Sequence, residues 1–235
     1  MANKGNKSVA AFILAGGASS RMGRAKGLIE FGGTPLILHA ARLVKPFVSS
    51  VTVIGPARPY RRLGLATIAD RIPGIARVAA FQGPLAGILT ALGSSTSRWN
   101  LVLACDLPYL TQEWIEALVM RARESDAQAY LPSTVGGLEP LTAVYRLDAY
   151  AGLAEAFRDG VRKVTEALKR VSVETVELEE LGEFGDSGLV LRNMNTPEDF
   201  AAAQKWWAEK FGESEEAITR SRIKPMRRRA PRPNK

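Results

Sequence analysis

Hydrophobic positions along the chain fall into short continuous runs that alternate with amphipathic stretches. Residues 9–14, 50–55, 66–69 and 99–105 are four such runs, several apolar enough to be buried on both faces, and they predict β-strands. Between the first two, the spacing predicts a helix that begins near Pro35, with Thr34 as its N-cap, and ends around Lys45 and Pro46. A second helix is expected from Pro84 to about Gly93. A third follows Thr111 and sets Trp114, Ile115, Leu118, Val119 and Ala122 on one apolar face. Strands and helices alternating at this spacing predict βαβ crossovers and a mainly parallel sheet.

The second half is less regular. Residues 127–132 and 141–146 read as two strands around a turn at Gly136 and Gly137, followed by helices over 147–158 and 161–169 and a strand over 171–178. The last helix has the best-marked start: Thr196 as N-cap, Pro197 at the first position, and Asp199 three beyond the cap. Trp206 and Trp207 on this helix read as packing residues. No internal repeat or linker interrupts the pattern before residue 212. Residues 1–212 are therefore expected to form a single Rossmann-like α/β domain of three α/β/α layers. In such a sheet a ligand lies at the carboxyl ends of the strands, near the switch in strand order.

Composition narrows the setting. A hydrophobic content of 46% is ample for a packed core. No stretch approaches the roughly 18 uninterrupted apolar residues of a membrane span, and the first eight residues lack a secretory apolar core. Cys105 stands alone, which rules out an internal disulfide and implies no zinc cluster. A cytoplasmic location is the expectation. The net charge of +8 changes meaning once it is located. Eight of the 32 Lys and Arg residues lie beyond residue 216, where there is no acid, so the rest of the chain balances its 24 Asp and Glu. Residues 213–235 read as a basic, disordered tail, and nucleic-acid binding rests on that tail alone.

The candidate chemistry begins in the loop after the first predicted strand. Residues 14–26 read Leu-Ala-Gly-Gly-Ala-Ser-Ser-Arg-Met-Gly-Arg-Ala-Lys. Gly16 and Gly17 let backbone N–H groups approach an anion, while Ser19, Ser20, Arg21 and Lys26 can donate to phosphate oxygens. The loop matches neither the dinucleotide-binding nor the Walker A glycine pattern. Asp106 ends the apolar run 101–104, where a carboxylate needs a cation partner. Mg²⁺ bridging to nucleotide phosphates is one such partner; a helix cap or a structural ion pair is the other reading. Gly83 and Gly87 flank Pro84 and allow a flat ligand or a neighbouring loop close to the backbone. Asn193 and Asn195 could offer carbonyl oxygens to a metal or cap the last helix. The only histidine, His39, lies inside the first predicted helix, so a histidine-based triad has little support. Glycine backbone, Arg, Lys and Asp suit phosphoryl or nucleotidyl transfer.

Residues 14–26, Pro35 and Leu36 with His39, Asp70, residues 83–87, Cys-Asp-Leu-Pro at 105–108, Glu139 with Pro140, and Asn-Met-Asn-Thr-Pro-Glu-Asp at 193–199 follow in a recognisable order. Over roughly residues 8–207 they resemble the sugar-nucleotide-type nucleotidyltransferases, and within them the molybdenum cofactor guanylyltransferases. Gly16 together with the Cys-Asp-Leu-Pro segment favours the guanylyl over the cytidylyl branch. The resemblance implies transfer of GMP from GTP to the terminal phosphate of molybdopterin, with release of pyrophosphate and Mg²⁺ as cofactor. It implies that Arg21 and Lys26 hold the triphosphate, that Asp106 binds Mg²⁺ with Asn195, and that Leu14, Ala15 and Gly16 line the guanine or ribose site. Asp70 would contact the nucleoside, with Gly17, Ser19, Gly83 and Gly87 completing the nucleotide site. Glu139, Pro140 and the region of Arg162 and Lys163 are candidates for the pterin, and a molybdoenzyme or its chaperone would receive the product. Two departures stand out: residues 54–58 lack an asparagine to read the base, and the stretch from Asp70 to Gly83 is long. Two other functions fit the same residues, a related CTP-using transferase and a nucleotide-binding protein without turnover.

Overall fold

The computed structural model describes residues 9–16, 25–72, 83–178, 180 and 188–212. The chain runs β1 (Val9–Leu14), β2 (Glu30–Phe31), β3 (Thr34–Pro35), α1 (Leu36–Val44), β4 (Ser50–Ile54), α2 (Ala57–Arg61), β5 (Ala66–Ile68), α3 (Pro84–Gly93) and β6 (Trp99–Ala104). It continues with α4 (Gln112–Glu124), β7 (Ala129–Thr134), β8 (Gly137–Leu138), β9 (Thr142–Arg146), α5 (Ala149–Arg158), α6 (Val164–Ala167), β10 (Val173–Glu177) and α7 (Pro197–Phe211). The main sheet has the order β10-β7-β9-β6-β1-β4-β5, with β8 paired to β7.

β1 is parallel to both its neighbours, β4 and β6, and β4 is parallel to β5. β9 is antiparallel to both β6 and β7, which makes the sheet mixed but mostly parallel. The reversal follows from the short return at Gly136 and Gly137, where β7 folds back through β8 and no crossover helix intervenes.

Alternation along the central strands divides the core in two. Val9, Ala11 and Ile13 of β1, with Leu101 and Leu103 of β6, pack against α1 and α4. Ala10 and Phe12, with Val102, face α3, α5 and α6 on the other side. This is the three-layer α/β/α arrangement expected from runs apolar enough for burial on both faces. At the cap of α4 the Thr111 hydroxyl accepts from the Trp114 N–H at 3.2 Å. At α7 the Thr196 and Asp199 side chains form the reciprocal capping box that the sequence announces.

Three expectations change. Thr34 is not the cap of the first helix; it pairs with Phe31 in the β2–β3 hairpin, and α1 starts at Leu36. Gly32 and Gly33, at φ +53° and +72°, form the turn. A capping hydroxyl contributes about 1 kcal/mol, whereas burying a phenylalanine gains about 1.5–3 kcal/mol, and the hairpin leaves Phe31 only 1% exposed. The helix expected over 161–169 is shorter, with α6 running into a 3₁₀ turn at Leu168–Arg170. α2 has no counterpart in the sequence reading; Pro59 within it hides a five-residue helix.

Beside the main core, Phe31, Leu36, Tyr109, Met194 and Ala203 form a third buried cluster, with Phe200, Trp206 and Trp207 packed on it. Trp207 meets Phe31 and His39 edge-on, at ring-centre distances of 5.0 and 4.9 Å. The tryptophans and His39 are thus packing residues, as the sequence suggests. The Gly32 turn is the tightest point of this contact, because a Cβ there would overlap the Trp207 indole. Gly32→Ala adds left-handed backbone strain of about 1–2 kcal/mol to overpacking of about 1–3 kcal/mol. It is expected to lower unfolding stability by about 2 kcal/mol or more and to shift tryptophan fluorescence, both measured in urea.

Candidate active site

The switch in strand order falls at β1 and β6, whose last residues, Leu14 and Ala104, are register partners. The opening loop and the Cys105–Asp106 segment therefore leave the sheet side by side. On one side β4 leads into Gly55 and Pro56 and β5 leads to Asp70; on the other, Glu139 and Pro140 lie just before β9. These ends frame a cleft of about 910 Å³. Leu14, Ala15, Gly16, Lys26, Asp70, Gly83, Gly87, Asp106 and Asn195 all line it. Gly17, Ser19 and Arg21 lie outside the described residues.

Lys26 stands at the centre. Its ammonium pairs with Asp106 Oδ2 and donates to Asn195 Oδ1 at 2.8 Å. Three segments far apart in sequence thereby meet at one cation. Lys26 is fixed by the 3₁₀ turn Lys26–Leu28. Asn195 is fixed from two directions: the Met194 N–H donates to the Asp106 carbonyl at 3.0 Å, and the Asp199 carboxylate accepts from the Asn195 and Thr196 N–H groups at 3.1 and 3.0 Å. Those backbone donors hold the Asp199 carboxyl below the usual carboxylate range. The capping box of α7 thus also sets Asn195 in place.

The partner that Asp106 needs is, in the chain by itself, a lysine. The same geometry bears on a metal, because the carboxylate of Asp106 and the carboxamide oxygen of Asn195 converge on one positive charge and both are hard oxygen donors of the kind Mg²⁺ takes. Among the described residues no group of three or more His, Cys, Asp or Glu side chains is placed to hold a metal. Among the described residues Asp106 and Asn195 are the pair of ligands at this point, which fits Mg²⁺ shared with phosphates and water.

One wall of the cleft is built on β1, β4 and β5. Ala15 donates its N–H to the Ile54 carbonyl at 2.9 Å, and a Cβ on Gly55 would come within 3.2 Å of the Ala15 backbone. Beneath, the buried Tyr60 of α2 donates its hydroxyl to the Ala15 carbonyl at 3.3 Å and packs against Gly27. Tyr60 touches both ends of the opening loop, a role the sequence reading missed; its only signal is one aromatic among the arginines of α2. Asp70 accepts from the Thr90 hydroxyl at 3.1 Å, and partial burial raises its carboxyl above the ordinary value. Gly83 caps α3 at φ +83°, a conformation that requires glycine. Gly87 gives close approach to a neighbour inside the protein, since a Cβ there would meet the Leu14 side chain at 3.2 Å. The opposite wall carries Glu139, Pro140 and Lys163.

With this geometry in view, residues 11–172 match the MobA-like NTP transferase domain. The chain belongs to that family. This nucleotidyltransferase is similar to the molybdenum cofactor guanylyltransferase of Pseudomonas putida, at 37% identity over 188 residues covering 79% of this chain and 92% of the relative. The enzyme of the same name from Pseudomonas aeruginosa is 36% identical over 187 residues, covering 79% and 89% of the two chains. Among solved structures, molybdopterin-guanine dinucleotide biosynthesis protein A of Archaeoglobus fulgidus superposes with a TM-score of 0.72 at 26% identity, covering 85% of this chain and 99% of that one. The 2-C-methyl-D-erythritol 4-phosphate cytidylyltransferase of Thermus thermophilus, at 14% identity and a TM-score of 0.60, shares the fold. None of the helices among the described residues is long and apolar enough to cross a membrane.

Cys105 borders the cleft but is 6% exposed, and burial, reinforced by the Asp106 carboxylate, pushes its thiol up to about 12. Burial also pushes the Tyr60 phenol up to about 12. Both groups stay protonated in the folded chain and lose their protons first in the unfolded one. Their contribution to stability is complete below pH 9 and is lost as pH rises towards 12. Urea midpoints should fall over that window, and Cys105→Ala should flatten its lower part. At pH 8 the thiol should resist a disulfide reagent until urea unfolds the chain.

Proposed function

We propose that this nucleotidyltransferase joins GMP from GTP to the terminal phosphate of molybdopterin and releases pyrophosphate. The observation that carries the proposal is the meeting of Lys26, Asp106 and Asn195 at the switch point of the sheet, midway between two differently built walls of one cleft. The choice of GTP and of the pterin acceptor is supported by the names of the similar enzymes. It is also supported by Gly16, which leaves room for a purine edge against the backbone.

In this reaction an oxygen of the acceptor phosphate forms a bond to the α-phosphorus of GTP, and the bond from that phosphorus to the α–β bridging oxygen breaks. The electron pair leaves with pyrophosphate. The nucleophile is already anionic, so no side chain has to remove a proton. The position of His39, packed against Phe31 and Trp207, agrees with that. Lys26 would turn from Asp106 and Asn195 to the triphosphate, and Arg21 would offset charge that builds on the leaving group. Asp106 and Asn195 would then hold Mg²⁺, which when bound neutralises charge on the reacting phosphates. Leu14, Ala15, Gly16 and Asp70 would line the nucleoside site, with Gly17 and Ser19 on the phosphates and Gly83 and Gly87 shaping the wall of α3. Residues 1–212 would make up the catalytic unit, with the basic residues beyond taking no part in the chemistry. The product would pass to a molybdoenzyme or its chaperone.

Pyrophosphate release with GTP, Mg²⁺ and molybdopterin, repeated with CTP, tests the reaction; faster release with CTP would sink the choice of base. Asp106→Ala should lower turnover by about a hundredfold or more while leaving the circular dichroism spectrum unchanged. Near-full turnover would remove the metal assignment. Lys26→Ala should raise the KM for GTP at least tenfold, about 1.4 kcal/mol, and leave the KM for molybdopterin within about twofold. Equal rises in both would argue against a triphosphate role.

A further inference from the structure

The acidic side chains that line the described cleft are not alike. Asp70 accepts from Thr90, and Asp106 is paired with Lys26. Glu139 lines the same cleft, half-buried, and among the described residues its carboxylate has no hydrogen-bond or ion-pair partner. Its backbone is firmly held: the Glu139 N–H donates to the Pro132 carbonyl at 3.0 Å, and its carbonyl accepts from the Thr142 N–H at 3.1 Å. The side chain is thus presented by the turn between β8 and β9. Burial alone raises its carboxyl above the ordinary value, and no opposite charge brings it back down. A carboxylate drawn out of water in this way is costly unless a donor arrives.

Sheet order says which ligand brings that donor. Glu139 stands at the head of β9, on the far side of β6 and Asp106 from β1, β4 and β5. It therefore belongs to the wall opposite the opening loop and the Asp70 segment. Lys163 lines that wall too and makes no ion pair among the described residues. A double acceptor with no partner among the described residues, beside a cation that makes no ion pair there and feels Glu166 only at longer range, suits an anionic ligand that also carries adjacent N–H donors.

We infer that Glu139 is the specificity-determining residue for the acceptor, its carboxylate taking the ring N–H and exocyclic NH₂ of a 2-amino-4-oxopyrimidine edge, as in a pterin. Two parallel N–H···O bonds to one carboxylate are among the strongest pairings available to such an edge. Lys163 offsets the acceptor's own negative charge. A ring with a carbonyl in place of the amino group sets an acceptor against an acceptor and is rejected. The inference rests on the proposed acceptor.

The full chain is titrated with 6-hydroxymethylpterin and with 6-hydroxymethyllumazine, in which a carbonyl replaces the 2-amino group. The wild-type chain should prefer the pterin by about tenfold or more. Glu139→Gln, which can offer an NH₂ to the lumazine carbonyl, should lose the preference, and Glu139→Asp should keep its direction. The KM for GTP should stay within about twofold in Glu139→Gln. Equal binding of the two rings by the wild type, binding of neither, or a preference retained in Glu139→Gln overturns the assignment. A rise in the KM for GTP alone would overturn it as well, since guanine presents the same pair of donors. Pyrophosphate release with molybdopterin distinguishes the two failures. Release without ring discrimination removes only the role of Glu139, whereas discrimination without release removes the proposed reaction.

Discussion

Everything at the active site depends on the parallel pairing of β1 with β6. Those strands are neighbours in space, yet their register partners, Val9 with Trp99 and Leu14 with Ala104, lie 90 positions apart in sequence, and between them the chain completes the excursion through β4 and β5 before returning. Because Leu14 and Ala104 end in register, the next residues of each strand, Ala15 and Cys105, diverge from a common point. The Lys26–Asp106 pair is the consequence, and Asn195 joins it because Met194 is hydrogen-bonded to the Asp106 carbonyl and Asp199 holds the Asn195 N–H. A slip of one residue in that register would turn every side chain of the strand to the other face and separate the two halves of the core.

How much of this could be read in the chain depended on whether the cause was local. β1, β6 and the capped helices α4 and α7 announce themselves because burial on both faces and capping leave short-range patterns. The β2–β3 hairpin did not, because Thr34 before an apolar run looks like a cap until Phe31 is known to need burial against Trp207, far along the chain. The site divides in the same way. Asp70 and Asp106 stand just past strand ends and Lys26 closes the loop that follows β1, none with an apolar role to explain it, and all three line the cleft. Tyr60 was hidden because its contacts, Ala15 and Gly27, lie more than thirty residues away and nothing near it in sequence marks them.

At the centre of the cleft the chain satisfies its own charges. Asp106 and Asn195 turn their oxygens to Lys26, whose ammonium meets both. On the proposed reaction an arriving triphosphate would change that balance by offering Lys26 a denser set of anionic oxygens and freeing two hard donors for a divalent cation. The pair holds both side chains in place and largely out of water, 17% and 16% exposed. Exchange of partners, not movement of the sheet, is the conformational step that such an arrangement asks for.

Polarity across the cleft follows from the same exchange. Lys26, Asp106, Asn195 and Asp70 have partners inside the protein, so a ligand there must compete for them, as the triphosphate of the proposed reaction would. Among the described residues Glu139 has no such partner and Lys163 makes no ion pair, so on the proposed reaction a less charged acceptor with the right donors and a single phosphate would meet them there. One reversed strand makes this possible. β9 runs against β6, so the turn that precedes it lies at the same end of the sheet as Asp106 and delivers Glu139 to the cleft. Had β9 been parallel, its first residues would have opened at the opposite end of the sheet, and Glu139 would have left the cleft with them.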